Sequence, residues 1–467
     1  MKFLHAKLFS LIISLALLLP TSIIAQQNAD PFIVKPYLQI GDTTTAAPNC
    51  LTILWHTTLV DARWQVEHRA ILASKWVIDP VPTSHPIIVG ATTPHFVISA
   101  EMRDLIPGAE YQYRVMNNGQ LVFLASFHAR KSASQPSRFI VFGDCAEGTS
   151  GQKAIAYQTW KLKPDFVFIP GDIVYTHGSI DEYRRLFFPI YNNETASPDT
   201  GAPLLRSTLF MACLGNHDVD GRNLDSFPDG LAYYYYWSQP LNGPLGQLNA
   251  PNTPKAIGSN ANLRAFLSAA QPNYPKMANY SFNYGNMHWT VLDANPYADW
   301  TRPPLLSWLE KDLAASISAK WRFVTFHQPG FVENSNTLDI GRISAVARLL
   351  EKYKVDIVFN GHIHTYICSR PLKLGGVSSG LTTPAIDTVF DGIKNTRPKG
   401  VIYMVTGAGG AHLHNLGIKE SIYWQILGRK FIPGIHSLTC VDNRGPSLLV
   451  RQIDSKGKEI DRFVITK

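Results

Sequence analysis

Five short polar signatures constrain this chain most, because each one follows a run of apolar, β-prone residues. In order they are Gly143-Asp144, Gly171-Asp172-Ile173-Val174-Tyr175, Gly215-Asn216-His217-Asp218, Val324-Thr325-Phe326-His327 and Gly361-His362-Ile363-His364. The β-rich runs are Arg138 to Phe142, Asp165 to Ile169, Leu209 to Leu214, His288 to Leu292, Arg322 to Phe326, Val355 to Phe359 and Val401 to Val405. Helical patterns such as Leu305 to Leu313 and Ile343 to Tyr353 lie between several of them. That alternation predicts a layered α/β domain. Each signature then falls at the carboxyl end of its strand, where open α/β sheets place their sites.

The signatures supply two carboxylates (Asp144, Asp172), the phenol of Tyr175, the carboxamide of Asn216 and the imidazoles of His327, His362 and His364. His217 stands beside the carboxamide. Hard carboxylates mixed with borderline imidazoles, and no thiolate, suit Zn, Fe or Mn. A carboxylate shared by two cations offsets their repulsion, and Asp172, in the middle of the set, is the natural bridge. A two-metal site implies hydrolysis at phosphorus. A Gly precedes the Asp or Asn in three signatures, and the expectation is that it lets the backbone turn sharply beneath the metals.

The order Asp, Gly-Asp-x-x-Tyr, Gly-Asn-His-Asp, Val-x-x-His, Gly-His-x-His is similar to that of the metallophosphoesterase superfamily. More narrowly it resembles the purple acid phosphatases. Tyr280 to His288, Trp308 to Leu313, Tyr366 with Arg370-Pro371, and Gly407 to Gly410 extend the resemblance, which covers about residues 138 to 412. General members carry Asp-x-His in the first signature. Here Ala146 stands at the His position and Tyr175 supplies a replacement. The resemblance implies two metal ions, Fe plus Zn, Mn or Fe. The first takes Asp144, Asp172, Tyr175 and His364; the second takes Asp172, Asn216, His327 and His362. It also implies hydroxide attack at phosphorus, with His217 on the phosphate or leaving oxygen and Asp218 orienting His217. Two departures concern the substrate. No His follows His327 in Gln328 to Asn336, and Ser369 replaces the usual Glu before Arg370. His177 is then a second source of a proton for the leaving group, or a loop residue.

The predicted fold class is α/β: a layered metallophosphoesterase β-sandwich flanked by helices, spanning 138–433, with a C-terminal β extension over 434–467. A small all-β sandwich precedes it over 31–130. Its Trp55 strand and its Leu105-Ile106-Pro107-Gly108 turn before Tyr111 and Tyr113 resemble a fibronectin type III or Ig-like module. Arg130 to Ser137 is polar and aperiodic and reads as the linker. Asn192 to Pro203 and Asp220 to Pro275 read as long irregular stretches. The second holds Tyr233-Tyr234-Tyr235-Tyr236-Trp237, which either walls a substrate pocket or packs the loop down.

Residues 1–25 read as a secretory signal: Lys2 and Lys7 first, an apolar run from Phe9 to Leu19, and cleavage after Ala25. That predicts a secreted or periplasmic protein with no membrane span after cleavage. The five cysteines form no disulfide framework and read as small buried apolar residues. The formal net charge of +8 suits an anionic partner, a small phosphate ester, yet no dense Lys/Arg run points to nucleic acid. His288, His412 and His414 read as structural, and His56, His68, His85 and His95 as incidental.

The leading function is thus phosphate monoester hydrolysis. The alternative is a phosphodiesterase acting on nucleotides or lipid headgroups. A surface binding protein, with the sandwich as its working part, would have lost metal ligands, and all seven are present.

Overall fold

The structure is a computed structural model. It describes residues 30–42, 49–244, 253–330, 332–334, 337–339, 341–374, 384–414 and 427–467. The expected leader, 1–25, lies outside the described residues. Phe32 to Lys467 forms one compact unit. Among the described residues no helix is long and apolar enough to cross a membrane.

Its amino-terminal part is rich in sheet. Two four-stranded antiparallel sheets lie between Val34 and His128. The Leu51–Thr58 strand is buried on both faces rather than on alternate residues. Ile53 and Trp55 face the partner sheet, whereas Leu54 packs into the same cluster as Phe188 and Tyr236, far along the chain. Arg130, expected in the linker, is 3% exposed and donates to the Asn283 carbonyl.

Two larger sheets follow. In the first, Ser137–Val141, Phe166–Ile169 and Leu209–Ala212 are parallel neighbours, and Ser437–Arg444 adds antiparallel to Ser137–Val141. Ser447–Asp454 and Glu459–Thr466 complete that sheet, so the tail extends the layer holding the first signatures. In the second, Met287–Val291, Trp321–Thr325, Ile357–Asn360 and Ile402–Thr406 run parallel.

The sheets meet through aromatic rings. Phe168 stacks on Trp289 at 5.3 Å, and Trp289 on Phe359 at 5.6 Å. Large rings bury much apolar area per residue, so such an interface supplies a sizeable share of the folding free energy. Helices cover the outer faces. Ser150–Leu162, capped by the Thr149 side chain on the Gln152 N–H, buries Ile155 and Ala156 on the first sheet. Pro303–Ala315, opening on two prolines, and Gly341–Lys352 bury Leu305, Leu309, Val346 and Leu350 on the second. The architecture is the predicted α/β class, a sheet pair flanked by helices.

The two stretches read as irregular are partly ordered. Asn192–Ser197 pairs with Gly201–Pro203, and Asn260–Ala270 is a helix. Tyr233 to Trp237 are all at most 4% exposed, so the aromatic run packs the segment down and leaves no pocket wall. The five cysteines are free, four of them buried.

Candidate metal centre

The parallel strands deliver the signatures to one end of the two sheets. Just past their strands, Asp144, Asp172 and His362 take left-handed backbone, with φ of 55°, 49° and 68°. Non-glycine residues occupy this region at a cost, and such residues cluster at functional sites. The sharp turn is therefore taken largely by the ligand-type residues themselves; of the three preceding glycines only Gly171 has positive φ, +85°. Gly215 is required for close approach instead. A Cβ there would fall on the amide nitrogen and carboxylate of Asp172.

All seven predicted donors converge. The Tyr175 hydroxyl lies 3.0 Å from His364 Nε2, 3.3 Å from Asp172 Oδ2 and 3.4 Å from Asp144 Oδ1. His327 Nε2 lies 3.1 Å from both Asp172 Oδ2 and Asn216 Oδ1. His362 Nδ1 sits 2.9 Å from the same Asn216 oxygen. Asp172, His327 and His362 bring donor atoms within 4.8 Å of one another, as do Asp144, Asp172 and His364. Asp172 belongs to both groups. Ligands about 2.1 Å from a cation lie roughly 3.0–3.4 Å from each other, so these spacings match coordination edges. The set fits two cations sharing Asp172.

Backbone groups fix the ring orientations. His327 Nδ1–H donates to the Pro170 carbonyl at 2.8 Å, and His364 Nδ1–H to that of His412 at 2.5 Å. Each bond turns the opposite nitrogen inward, as outer partners of metal-binding imidazoles do. His414 stacks on His364 at 4.0 Å, so His412 and His414 support the site from behind.

Charge tells the same story. Burial pushes the Asp144 carboxyl up. Burial also raises Asp172, but the adjacent His327 outweighs it and holds Asp172 at about 2. His327 is opposed by burial yet is raised to about 9 by Asp172 and Asp144. Burial and both carboxylates push the Tyr175 phenol well above its ordinary value. A proton on His327 thus offsets part of the buried carboxylate charge while Tyr175 stays a neutral phenol, and cations at the centre would take over that role and invert these preferences.

His217 lies at the rim, with 27% of its side chain exposed. Its Nδ1–H donates to the Thr176 carbonyl at 2.9 Å. Asp218 does not orient it. Its fully buried carboxylate accepts from the Gly215 N–H at 2.7 Å and the Ile173 N–H at 3.1 Å, tying two signature loops together. The expectation overlooked that a carboxylate following the His in sequence turns under the loop, toward unpaired amides. His177 points away, pairing with Asp220 and stacking on Phe227. His288 is structural, bonded to Asn283 and Asp312.

Sequence reasoning missed one flank. A cavity of about 480 Å³ beside His362 is lined by Trp300, Phe326, Gln328 and Arg342, among others. Gln328 Nε2 donates to Asn295 Oδ1 at 3.0 Å, and its sealed Oε1 has no partner among the described residues. Asn295 in turn donates to the Gly215 carbonyl. The available signal was Asp293 and Asn295, two polar residues just past a parallel strand.

Residues 137–366 match the calcineurin-like phosphoesterase family model. An uncharacterized protein of Mycobacterium tuberculosis is 26% identical over 335 residues, 67% of this chain and 57% of its own length. Probable inactive purple acid phosphatase 27 of Arabidopsis thaliana is 26% identical over 413 residues, 81% of this chain and 59% of its own. The chain thus spans between 57% and 59% of the length of these two relatives. A nucleotide pyrophosphatase/phosphodiesterase of Hordeum vulgare is 25% identical over 368 residues, 73% of this chain and 86% of its own. Among solved structures, purple acid phosphatase PPD1 from yellow lupin seeds superposes with a TM-score of 0.67 at 20% identity, covering 92% of this chain and 74% of its own. PhoD does so with 0.56 at 14%, covering 93% of each. At those identities the likeness is one of fold. Residues 137–366 are a calcineurin-like metallophosphoesterase domain, with purple acid phosphatases among its homologues and fold neighbours.

Proposed function

We propose that this chain is an exported binuclear-metal phosphoesterase that hydrolyses phosphate monoesters. The observation that carries the reading is the Tyr175 hydroxyl, 3.0 Å from His364 and 3.3 Å from Asp172. It fills the gap left by Ala146, whose carbonyl accepts the Tyr175 N–H at 3.2 Å. Asp144, Asp172, Tyr175 and His364 would hold one cation, and Asp172, Asn216, His327 and His362 the other.

When bound, the cations supply Lewis acidity toward water and neutralise the phosphate oxygens. The chain's own groups do the rest. The carbonyls of Pro170 and His412 keep two imidazoles turned inward, so no reorganisation is needed as charge develops. His217, with Nδ1 engaged by Thr176, has Nε2 left to carry a proton to the leaving oxygen. Burial of the two carboxylates keeps bulk water from screening the site.

A second reading, a diesterase acting on nucleotides, is favoured by one observation. The cavity beside His362, about 480 Å³, adjoins the donor group of the second cation and leaves room for the second ester group of a diester. Metal-loaded protein assayed on an aryl phosphate and on a bis-aryl phosphate separates the readings. A higher kcat/KM on the monoester supports the first and a higher one on the diester the second. Inertness toward both rejects the enzyme.

A further inference from the structure

A second cavity, of about 880 Å³, opens at the other end of the second sheet. Lys320 and Arg322 reach it from the start of the Trp321–Thr325 strand, and Lys352 and Lys354 from the end of the Gly341–Lys352 helix. Loops and the tail contribute Lys373, Lys399 and Lys467. Against these seven cations stand two carboxylates, Glu351 and Asp356, a net side-chain charge of +5. Lys352 is neutralised by Glu310 at 2.7 Å, which leaves four. Neither carboxylate is idle. Asp356 accepts from Lys467 Nζ and the Arg322 N–H, and Glu351 from the Leu374 N–H.

Helix ends account for part of this charge. Lys352 and Lys354 complement the carboxyl terminus of their helix. Lys373 and Lys399 have no such reason to be there. Both are exposed, and neither side chain has an ion-pair partner among the described residues. Arg322 adds an independent point. It is 6% exposed, and its Nε and Nη2 are used on Ser316 Oγ and the Ile317 carbonyl. Its Nη1 has no protein partner among the described residues, although the residue lines the cavity.

We propose that this basic cavity binds a compact phosphate polyanion, of the linear tripolyphosphate type, at a site separate from the catalytic centre. The volume lies within the range of small-molecule sites, about 300–1,000 Å³. Lysine point charges around the one remaining arginine nitrogen are the chemistry that takes several phosphate groups at once. Nucleic acid fits less well. Tyr353 is the lone lining aromatic, and Lys352 Nζ lies over one face of its ring at 5.0 Å, so the cavity has no series of rings on which successive bases could stack. Five residues of strand separate Arg322 from His327, roughly 16 Å, so the two sites are distinct. The proposal stands independently of any phosphoesterase activity.

Tripolyphosphate binding to the full chain, followed by calorimetry in low salt, tests it against Lys373→Glu/Lys399→Glu and Lys373→Gln/Lys399→Gln. The wild type should show a binding event that weakens at least tenfold in the Glu pair and by a smaller factor in the Gln pair. Aryl phosphate turnover should stay within twofold, or, if the chain has none, thermal stability should be unchanged. Superimposable isotherms for wild type and both variants would overturn the proposal. So would a loss confined to a heparin oligosaccharide, since the lysines would then read a sulfated polymer.

Discussion

His217 donates from Nδ1 to the Thr176 carbonyl at 2.9 Å, and this sets its Nε2 4.0 Å from Asp172 Oδ2. The imidazole is thus held by backbone at the rim of the centre with Nε2 left toward the site, where it donates once the ring is doubly protonated. His217→Ala should lower kcat by about 10²–10⁴-fold, the usual worth of a positioned acid, with metal content unchanged. Elemental analysis beside the kinetics checks this. Wild-type kcat in the variant would assign leaving-group protonation elsewhere.

Asp218 leads to a different expectation. Its carboxylate holds the Gly215 and Ile173 amides, and removing it strands two buried donors at about 1–3 kcal/mol each. Asp218→Ala should therefore lower the melting temperature by several degrees and weaken metal retention. The pH–rate profile of the surviving activity should not move. A shifted profile at unchanged stability would mean that Asp218 tunes His217 after all.

Tyr175 carries the identity of one metal. Phenolate bound to ferric iron gives a visible charge-transfer band, so the oxidised protein should be coloured and Tyr175→Phe colourless. A colourless, active wild type holding only zinc or manganese would reject the iron assignment.

Much of this was legible because the signal was local. Each donor follows its own apolar strand, and a strand end is a short-range property. The Ala146 and Tyr175 exchange could be read for the same reason. Partners that act through backbone carbonyls, such as Thr176, Pro170 and His412, leave no residue-type signature. The role of Asp218 was misread because adjacency in sequence says nothing about which way a side chain turns. The basic cavity stayed hidden because its lysines come from segments dispersed between Lys320 and Lys467, and no run of charge marks them.

Gly215 tests how tightly the loops are packed. Any Cβ there meets Asp172, the residue shared by both donor groups. Gly215→Ala should cost about 1–3 kcal/mol of overpacking and displace the Asp172 carboxylate. Activity should fall further than stability does, measured as kcat/KM against the denaturant midpoint. A fully active variant would show that the loop has slack.

His95, read as incidental, is buried where the amino-terminal sheets meet the Tyr233–Tyr236 helix, with Nε2 3.0 Å from the Tyr236 hydroxyl. Burial and then the charge of Arg184 depress it from 6.5 to about 4. Burial lowers its neighbour His56 as well, and the Tyr37 hydroxyl lies 2.9 Å from His56 Nε2. The sign follows from proton uptake. Between pH 6.5 and 4 the unfolded chain binds a proton at His95 that the folded chain refuses, so stability is lost as pH falls through that window. A shift of that size is worth about 3 kcal/mol when complete. Denaturant midpoints should therefore drop between pH 6.5 and 4, and His95→Gln, which keeps a polar group for Tyr236, should flatten that slope. An unchanged slope in the variant would place the acid sensitivity elsewhere.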